Sequence, residues 1–356
     1  MVRTVKERIA VAMSGGVDSS VAAWLLREQG HPLEGVTLRL HGCAGTDDVS
    51  DARAVAEHLG FAHHVFDLSE CFRTWVMAPF VADYERGRTP NPCVECNRRV
   101  KFGALLDKAR ELSCAAVATG HYARLDYDTP SGRWLLKRAL HPEKDQSYVL
   151  YCLTQQQLER SRFPLGGLSK EEIRAIALEQ GLVSARRRDS QDICFVPDGD
   201  YAAFIRRHTG KAYPAGDFVA PDGRVLGQHE GIIAYTLGQR RGLGVSSAQG
   251  RLYVTKIDPA ANTVTLGAND ALFARTLEAE HINLIPCQRL TAPLRVQARA
   301  RYRHSAQNAT VEQIGEDRIR VTFDRPQRAI TPGQAVVLYD GDIVVGGGTI
   351  DTVLEE

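Results

Sequence analysis

The sequence predicts an α/β protein that begins with an open, doubly wound parallel sheet and continues into a β-rich second half. Short apolar strands alternate with helical patterns as far as residue 121, which is typical of a parallel sheet covered on both faces. Beyond residue 210 the chain is β-branched, rich in glycine and interrupted by proline, with few helical patterns. At 356 residues the chain is long enough for two or three domains.

Three domains are expected. Residues 1–209 form the α/β domain with the parallel sheet, residues 210–275 form a small β-rich central domain, and residues 276–356 form a β-barrel. The strands predicted in the first domain are 9–13, 33–40, 61–68 and 115–119, and its helices are 47–60, 72–87, 97–112, 169–181 and 200–208, with a hairpin at 124–140. The strands predicted in the second half are 219–227, 252–258, 263–266, 294–301, 310–314, 318–323, 335–339 and 343–350.

Composition excludes several classes of protein. The formal net charge of +1 gives no global basicity, so any nucleic-acid surface must be local. Eight cysteines at uneven spacing, without a signal-peptide pattern, favour a reducing, cytoplasmic location. No apolar run approaches the roughly 20 residues of a membrane span, so no membrane contact is expected.

The first informative stretch is Ser14-Gly15-Gly16-Val17-Asp18-Ser19-Ser20. It follows a buried strand and opens a helix, so its glycines and the free N–H groups of the helix start favour a phosphate ligand. The carboxylate of Asp18 would repel phosphate unless a cation lies between them, and Mg²⁺ is the natural choice. The stretch lacks the Gly-Lys-Ser/Thr of a Walker A loop and the third glycine of a dinucleotide fingerprint.

Two cysteine-containing stretches come next. Cys93 and Cys96 lie in TPNPCVECN, residues 89–97, and Cys96 precedes the predicted helix 97–112, whose dipole is expected to lower its pKa. Cys194 lies in DSQDICF, after three arginines at 186–188 that would also favour a thiolate. Cys114 and Cys152 lack such settings and are expected in the core.

The residues alone leave three interpretations of Cys93, Cys96 and Cys194 open. A structural zinc site is one, although no fourth ligand is evident from the spacing. A pair of catalytic thiols, one carrying sulfur and one resolving the intermediate, is another. The third is an iron–sulfur cluster held by all three cysteines, with one iron left open.

The loop and the two cysteine stretches, in this order, resemble those of the tRNA-specific 2-thiouridylases, which belong to the PP-loop ATP pyrophosphatases. The family thiolates the wobble uridine of certain tRNAs. Further stretches agree with this resemblance, at residues 120–124, 144–148, 235–244 and 301–304, so that it covers nearly the whole chain.

The resemblance implies two sets of binding residues. The residues that it assigns to ATP are Ala12, Met13, Ser14, Gly15, Gly16, Val17, Asp18, Ser19, Leu38 and Gly120, with Mg²⁺ held by Asp18 through ATP. The residues that it assigns to tRNA are His121, Asp145, Gln146, Ser147, Arg301, Tyr302 and Gln334. Because Arg299, Arg301 and Arg303 alternate, a strand would point them to one face and Tyr302 to the other, and the family position favours RNA contact there.

The resemblance also implies the chemistry. Cys96 matches the family nucleophile and Cys194 the cysteine that carries a persulfide, delivered by a sulfur-donor protein such as a cysteine desulfurase or a relay protein. The two would form a transient disulfide after sulfur transfer. Many members carry aspartate where this chain has Cys93, so a 4Fe–4S cluster on Cys93, Cys96 and Cys194 is the alternative.

Two other classes of function compete with this interpretation. A PP-loop synthetase that activates a carboxylate would use the ATP loop but would leave the three cysteines without a task. An RNA-binding protein with a zinc staple would use the barrel and the cysteines but would not explain an aspartate in a phosphate loop. Pyrophosphate release that depends on tRNA would favour thiolation over both.

Overall fold

The computed structural model describes residues 6–41, 46–186, 193–246 and 250–354. Within them, no helix is long and apolar enough to cross a membrane. The α-helices are α1 (Val17–Glu28), α2 (Thr46–Leu59), α3 (Ser69–Phe72), α4 (Ala78–Glu85), α5 (Pro92–Glu95), α6 (Leu105–Glu111), α7 (Ser147–Leu150), α8 (Gln155–Glu159), α9 (Lys170–Glu179) and α10 (Tyr201–Thr209). Two π-helical segments, Arg73–Met77 and Cys96–Ala104, join α3 to α4 and α5 to α6.

The strands form three sheets. They are β1 (Ile9–Ala12), β2 (Leu33–Arg39), β3 (Ala62–Asp67), β4 (Ala116–Ala118), β5 (Ala123–Asp128), β6 (Arg133–Arg138), β7 (Ser161–Arg162), β8 (Gly216–Val219), β9 (Val225–His229), β10 (Tyr253–Asp258), β11 (Thr263–Gly267), β12 (Phe273–Leu284), β13 (Leu294–Arg299), β14 (Gln307–Gly315), β15 (Arg318–Arg328), β16 (Ala335–Asp340) and β17 (Ile343–Leu354).

The first sheet is parallel and has the order β3-β2-β1-β4-β7. Its central strand β1 is apolar, and Ile9, Ala10 and Val11 have no exposed surface, because helices cover both faces of the sheet. The doubly wound sheet predicted from the alternating pattern is confirmed. Ligands of such sheets bind at the carboxyl ends of the strands, which is where β1 runs into the loop that precedes α1.

The hairpin β5–β6 follows β4 of the first sheet in the chain but belongs to the sheet of the barrel. It turns at residues 129–132, as predicted, and Lys137 of β6 pairs with Ile343 of β17. A salt bridge of 2.8 Å from Arg124 to Asp342 reinforces this junction. The first domain and the barrel are therefore joined by a continuous sheet, which sequence periodicity could not indicate.

The central sheet has the order β10-β11-β8-β9. The single strand predicted at 219–227 is wrong, because the chain turns at residues 220–224 and forms two antiparallel strands, β8 and β9. The turn is made by Pro221-Asp222-Gly223, and Gly223 has a φ of +86°. Such a sequence reverses a chain in preference to extending it.

The barrel closes on itself. Its order is β12-β15-β14-β13-β16-β17, and β12 also pairs with β17. Strand β12 was missed in the sequence because its outward residues are charged, yet Leu277 and Ala279 alternate with them and are fully buried. The predicted C-terminal β-barrel is confirmed.

One aromatic core joins the central sheet to helices of the first domain. Phe80 and Phe204 pack around Phe195, with ring centroids 5.2 and 5.0 Å from it, and Phe218 of β8 belongs to the same buried cluster. The predicted limit at residue 209 thus crosses a shared core, and the domain limits stay a prediction. The core also anchors the residue that follows Cys194.

Candidate active site

The loop between β1 and α1 is shaped by its first glycine. Gly15 has a φ of +70°, and a Cβ there would lie 2.6 Å from the carbonyl oxygen of Asp48. Gly16 is the N-cap of α1 and has no side chain to occupy the helix start. The backbone N–H groups of the first turn of α1 have no acceptor within the helix, which leaves them available to an anion.

Serine hydroxyls hold the loop from inside. The Ser19 hydroxyl donates to the carbonyl oxygen of Gly16 at 3.1 Å and accepts from the backbone N–H of Ser14 at 3.2 Å. The Ser20 hydroxyl donates to the same Gly16 oxygen at 2.9 Å and accepts from Ser184 at 2.9 Å. The loop is therefore preformed, and its hydroxyls brace the backbone around the anion position.

Asp18 has partners that the sequence did not suggest. Its Oδ1 accepts a hydrogen bond from the Tyr122 hydroxyl at 2.7 Å and lies 2.7 Å from the ammonium of Lys170, whose side chain is 8% exposed. Asp18 was predicted to face a metal ion. One of its carboxylate oxygens instead faces a buried ammonium, which offsets its repulsion of phosphate.

Lys170 is brought to Asp18 by a helix start that was visible in the sequence. Ser169 caps α9, accepting from the backbone N–H of Glu172 while Glu172 accepts from Ser169 in return. This is a capping box, and it begins the helix that was predicted at 169–181. The box fixed where α9 begins, but only the packing of α9 against α1 brings Lys170 to the phosphate loop.

The remaining predicted ATP residues lie around the same loop. Gly120 packs against its backbone, since a Cβ there would lie 2.9 Å from the Ser19 nitrogen. Met13 donates from its N–H to Val36 at 2.8 Å and accepts from the Thr37 hydroxyl at 2.8 Å. Ala12 and Leu38 are partly buried beside the core under this edge. The ATP residues are thus grouped at one sheet edge, while their contact with ATP stays a prediction.

His121 links this loop to the helix that carries Cys93 and Cys96. This helix consists of α5, the π-helical segment Cys96–Ala104 and α6, and is called the cysteine helix. Its Nδ1 is 2.7 Å from the Thr119 hydroxyl, and its ring packs 5.9 Å from Phe102 and 6.2 Å from Phe163. Burial, with a smaller contribution from the charge of Lys101, holds the pKa of His121 well below its usual value. The imidazole is therefore neutral at physiological pH.

The helix that carries the cysteines begins earlier than predicted. Asn91 caps it by accepting from the backbone N–H of Cys93 at 3.2 Å, and Pro92 is its first residue. Cys96 therefore lies in the second turn and not before the helix. The expected lowering of its pKa is wrong, since burial raises the pKa of Cys96 to about 12.

The same helix changes its winding at Cys96. From Cys96 to Ala104 it is π-helical, and the N–H of Leu105 donates to the carbonyl oxygen of Val100, five residues back. The Gln157 amide donates to the carbonyl oxygens of Arg98 at 2.9 Å and Phe102 at 2.6 Å. A π-helix is rare and is often found at functional sites.

The three cysteines differ in exposure. Cys96 is buried, whereas Cys93 and Cys194 are exposed, and all three carry free thiols. Although the Cys194 side chain is exposed, protein atoms around its thiol displace water and raise its pKa, in spite of the arginines that were predicted to lower it. The arginines at 187–188 lie outside the described residues. Cys114 and Cys152 are buried, which confirms that they are core residues.

The cysteines do not form a metal site in this structure. Within 6–41, 46–186, 193–246 and 250–354, no group of three His, Cys, Asp or Glu side chains could hold a metal ion. Neither zinc nor a three-cysteine cluster fits the present arrangement of Cys93, Cys96 and Cys194. Ionisation of Cys93 or Cys194 would nonetheless raise the pKa of Cys96 further.

Residues 145–147 were predicted to contact tRNA and are largely buried. Asp145 accepts from the backbone N–H groups of Ala139 and Ser147, both at 3.1 Å, and pairs with Arg299 at 3.5 Å. Gln146 accepts from the N–H of Tyr122 at 3.0 Å. These contacts tie the residues after the hairpin to both the barrel and the phosphate loop.

The predicted arginine strand is shorter than expected. Strand β13 ends at Arg299, so Tyr302 does not point away from the arginines, and the predicted alternation is wrong. The ring of Tyr302 packs 5.6 Å from the ring of Tyr148 and 5.9 Å from the Arg299 guanidinium, and 40% of the Tyr302 surface is exposed. Arg301 turns inward and donates to the carbonyl oxygen of Leu237 at 2.9 Å and to the Thr331 hydroxyl.

Gln334 also makes an internal contact. Its amide donates to the carbonyl oxygens of Thr89 at 2.7 Å and Pro90 at 3.2 Å. The N–H of Thr89 donates in turn to Pro332 at 2.9 Å. Residues of the barrel therefore hold the segment 89–90, which leads to Cys93, by hydrogen bonds.

Comparison with known proteins agrees with this architecture. Residues 7–198 match the family model described as tRNA methyl transferase HUP domain, residues 202–268 that of the tRNA methyl transferase PRC-barrel domain, and residues 274–350 that of the aminomethyltransferase beta-barrel domain. The three matches divide the chain near the predicted domain limits.

Curated relatives align over almost the whole chain. A protein of Clostridioides difficile (strain 630) named tRNA-specific 2-thiouridylase MnmA is 46% identical over 98% of this chain and 99% of its own length. One from Caldanaerobacter subterraneus subsp. tengcongensis, named tRNA-specific 2-thiouridylase MnmA 1, is 49% identical over 98% of both chains. A third, tRNA-specific 2-thiouridylase MnmA 2 of Thermoanaerobacter sp. (strain X514), is 47% identical over 99% of this chain and 100% of its own.

Proposed function

The chain belongs to the family of tRNA-specific 2-thiouridylases, and from this we propose that it uses ATP to replace the C2 oxygen of the wobble uridine of tRNA by sulfur. One observation supports this most directly. The phosphate loop and the cysteine helix are separated by a single dipeptide, Gly120-His121, with Gly120 against the loop and His121 against Phe102 of the cysteine helix. The loop at which the substrate would be activated and the helix that carries Cys93 and Cys96 are therefore joined through these two residues.

The first step is activation of the base. The loop residues Ala12 to Ser19 hold the phosphates of ATP, with the first N–H groups of α1 directed at them. The uridine C2 oxygen attacks the α-phosphorus, the bond to the β-phosphate oxygen breaks, and pyrophosphate leaves. The product is a uridine adenylate, in which the C2 oxygen has become part of a good leaving group.

Mg²⁺ fits this step through the second oxygen of Asp18. The first oxygen is engaged by Lys170 and Tyr122, so the ion would share Asp18 with an ammonium that already offsets part of its charge. When bound, Mg²⁺ supplies neutralisation of the phosphate oxygens. Lys170 and Tyr122 orient the carboxylate for that task.

The second step is sulfur transfer. The terminal sulfur of a Cys194 persulfide attacks C2, and the bond from C2 to the bridging oxygen breaks, releasing AMP. The Cys96 thiol then attacks the Cys194 sulfur as its proton passes to the base. This breaks the bond between the Cys194 sulfur and the transferred sulfur and leaves the transferred sulfur on C2. The transferred sulfur is reduced and the two cysteines are oxidised to a disulfide, which an external thiol must reduce before the next cycle.

A persulfide is favoured over a 4Fe–4S cluster in this proposal. The described cysteines offer no three-ligand group in their present arrangement. Cys194 is exposed and so can receive sulfur from a donor protein such as a cysteine desulfurase, while Cys96 is buried. This division suits one carrier and one resolving thiol.

The tRNA is proposed to lie across the junction of the first domain and the barrel. Tyr302 is the predicted tRNA residue with the largest exposed surface among those described, and an exposed aromatic ring suits stacking on an unpaired base. Asp145, Ser147 and Gln334 hold that surface in shape through the contacts given above. The target uridine must leave its stack to reach the buried Cys96.

The test reconstitutes the reaction with purified protein. The protein is incubated with ATP, Mg²⁺, a cysteine desulfurase with cysteine, and a tRNA with uridine or cytidine at the wobble position. Pyrophosphate and 2-thiouridine should form only with the uridine tRNA. Cys194→Ala should abolish thiolation while keeping tRNA-dependent pyrophosphate release, and the matched variant Cys287→Ala should change neither.

Two results would contradict the proposal. Full thiolation by the Cys194→Ala protein would remove the persulfide carrier from the scheme. Pyrophosphate release that does not depend on tRNA but requires a carboxylate substrate would indicate a synthetase instead. Iron analysis after anaerobic purification decides the cluster alternative, since stoichiometric iron lost in Cys93→Ala would favour it.

A further inference from the structure

We propose that Lys101 is a catalytic residue of sulfur transfer, whose ammonium binds the phosphate of the adenylated uridine beside Cys96 and stabilises the charge that AMP gains as it leaves. This inference rests on the proposed function and adds a residue that the family resemblance did not assign. It follows from the winding of the cysteine helix, from the groups around Lys101 and from the position of the substrate phosphate.

The π-helical winding brings Lys101 round to Cys96. In a π-helix the backbone bonds span five residues, so residues five apart lie nearly above one another, whereas in an α-helix residues four apart do. Lys101 follows Cys96 by five residues within the π-segment Cys96–Ala104. In an α-helix the same lysine would point to a different face.

Gln157 of α8 supports this winding from outside the helix. It donates to two carbonyl oxygens of the segment, those of Arg98 and Phe102, on either side of Lys101 in the chain. Phe102 itself departs from helical geometry, with a φ of −116° and a ψ of 16°. The distortion at Lys101 is therefore held by a specific contact.

The groups around Lys101 come from separate parts of the chain. The charge of Lys101 lowers the pKa of Cys93, Cys96, Cys194 and His121. Burial raises the pKa of Cys96, and Lys101 is the largest opposing influence. Within the described ranges Lys101 belongs to no salt bridge, unlike Lys108 on the same helix, which pairs with Glu111 at 2.8 Å.

The substrate phosphate must lie in this neighbourhood. In the adenylate, the phosphorus is joined to C2 through one oxygen. If C2 lies near the cysteine sulfurs, the phosphate therefore lies between the cysteine sulfurs and the phosphate loop. His121 lies beside that position of the phosphate. Its neighbour Gly120 packs against the loop, and its ring packs against Phe102, the residue after Lys101. His121 is neutral, so it does not supply the cation.

When sulfur attacks C2, the C2–oxygen bond breaks and its electron pair goes to the phosphate oxygen of AMP. A fixed ammonium stabilises this charge, and it also draws in the anionic persulfide that attacks. The loop and Mg²⁺ serve the earlier step, in which pyrophosphate leaves. Lys101 should therefore affect the second step more than the first.

The experiment separates the two steps. Protein carrying the Cys194 persulfide is mixed with ATP, Mg²⁺ and wobble-uridine tRNA in a single turnover, and pyrophosphate, AMP and 2-thiouridine are followed. Lys101→Met should keep pyrophosphate release within about twofold and slow 2-thiouridine formation by about 100-fold, as expected for losing one stabilising group. Lys101→Arg should recover part of that rate, and the control Lys108→Met should match the unchanged protein.

Several outcomes overturn the inference. They are thiolation by Lys101→Met at the unchanged rate, an equal fall in pyrophosphate release and thiolation, and failure of both Lys101→Met and Lys101→Gln to fold, which would assign the ammonium to stability. Failure of the proposed function looks different, because the unchanged protein would then release no pyrophosphate with wobble-uridine tRNA.

Discussion

The phosphate loop and the cysteine helix differ in how their geometry is built. The loop, where we propose that ATP binds, is a local motif of glycines, serines and a helix start within residues 14–20. The cysteine helix must keep a reactive thiol from water, and it does so with burial, a π-distortion and contacts from distant segments. A site built locally can be identified in a sequence, whereas a site built by burial depends on the fold.

Both sites nevertheless depend on a lysine that a separate feature positions. Lys170 reaches Asp18 because α9 packs beside α1, and Lys101 follows Cys96 by five residues in the π-helical segment. Each places positive charge where the proposed chemistry gathers negative charge. The four predictions below test whether the two sites differ as the geometry implies.

The largest effect is expected from Gly15→Ala. The added methyl group would lie 2.6 Å from the Asp48 oxygen at a φ of +70°, so the loop must move. Pyrophosphate release should fall about 100-fold or more, since small misplacements of reacting groups have such effects. Gly30→Ala is the control, because Gly30 has a φ of +82° but no atom within 4 Å of its Cβ position. Equal activity of both variants would contradict the tight fit of the loop.

Lys170→Met should leave Asp18 without its ammonium. We expect the KM for ATP to rise about tenfold and the free energy of unfolding to fall by about 1–3 kcal/mol, discounted because Asp18 is a third exposed. The double variant with Asp18→Asn should regain stability but not ATP affinity. The surface pair of Lys137 with Asp126 is the control, and Lys137→Met should cost less than about 0.5 kcal/mol. A double variant no more stable than Lys170→Met would count against the pair.

Gln157→Ala should affect the cysteine helix and spare the loop. Losing two hydrogen bonds to the π-segment should cost about 1–2 kcal/mol of unfolding free energy. Thiolation should fall several-fold while tRNA-dependent pyrophosphate release is retained. Gln156→Ala, at an exposed position of the same helix, should change neither quantity. A parallel loss of both activities would indicate that the two sites are not separable.

The smallest effect concerns pH. The pKa of His121 lies well below its ordinary 6.5 in the folded protein. Below pH 6.5, His121 therefore binds a proton in the unfolded chain but not in the folded protein. Stability contributed by neutral His121 is therefore present above pH 6.5 and lost as pH falls, at up to about 1.4 kcal/mol per unit. Denaturant unfolding of His121→Gln should show a flatter dependence between pH 6.5 and 5.5. An unchanged slope would mean that other groups dominate.

Much of the fold followed from patterns along the chain. The strands β1 to β4, the hairpin, the helix that begins after Ser169 and the barrel were all expected, because each depends on periodicity or on turn residues close together in sequence. The errors lay where context overrides pattern. Strand β12 carries charge on its outer face, and residues 219–227 contain a turn.

The active-site prediction shows the same division. The phosphate loop was identified from seven consecutive residues, and the cysteine stretches from motifs of similar length. The pKa of Cys96 was predicted in the wrong direction, because the helix begins at Pro92 and because burial outweighs the helix dipole. The direction of Tyr302 was also wrong, since strand β13 ends three residues earlier.

Short-range chemistry was therefore readable from the chain: a glycine-rich turn before a helix, capped helix starts, and alternating strands. The tertiary structure decided which charges meet. Lys170 and Asp18 are separated by 152 residues, and Lys101 and Cys194 by 93, so no local pattern relates them. Burial then set the protonation of His121 and Cys96, because the cost of removing a charge from water depends on everything packed around it.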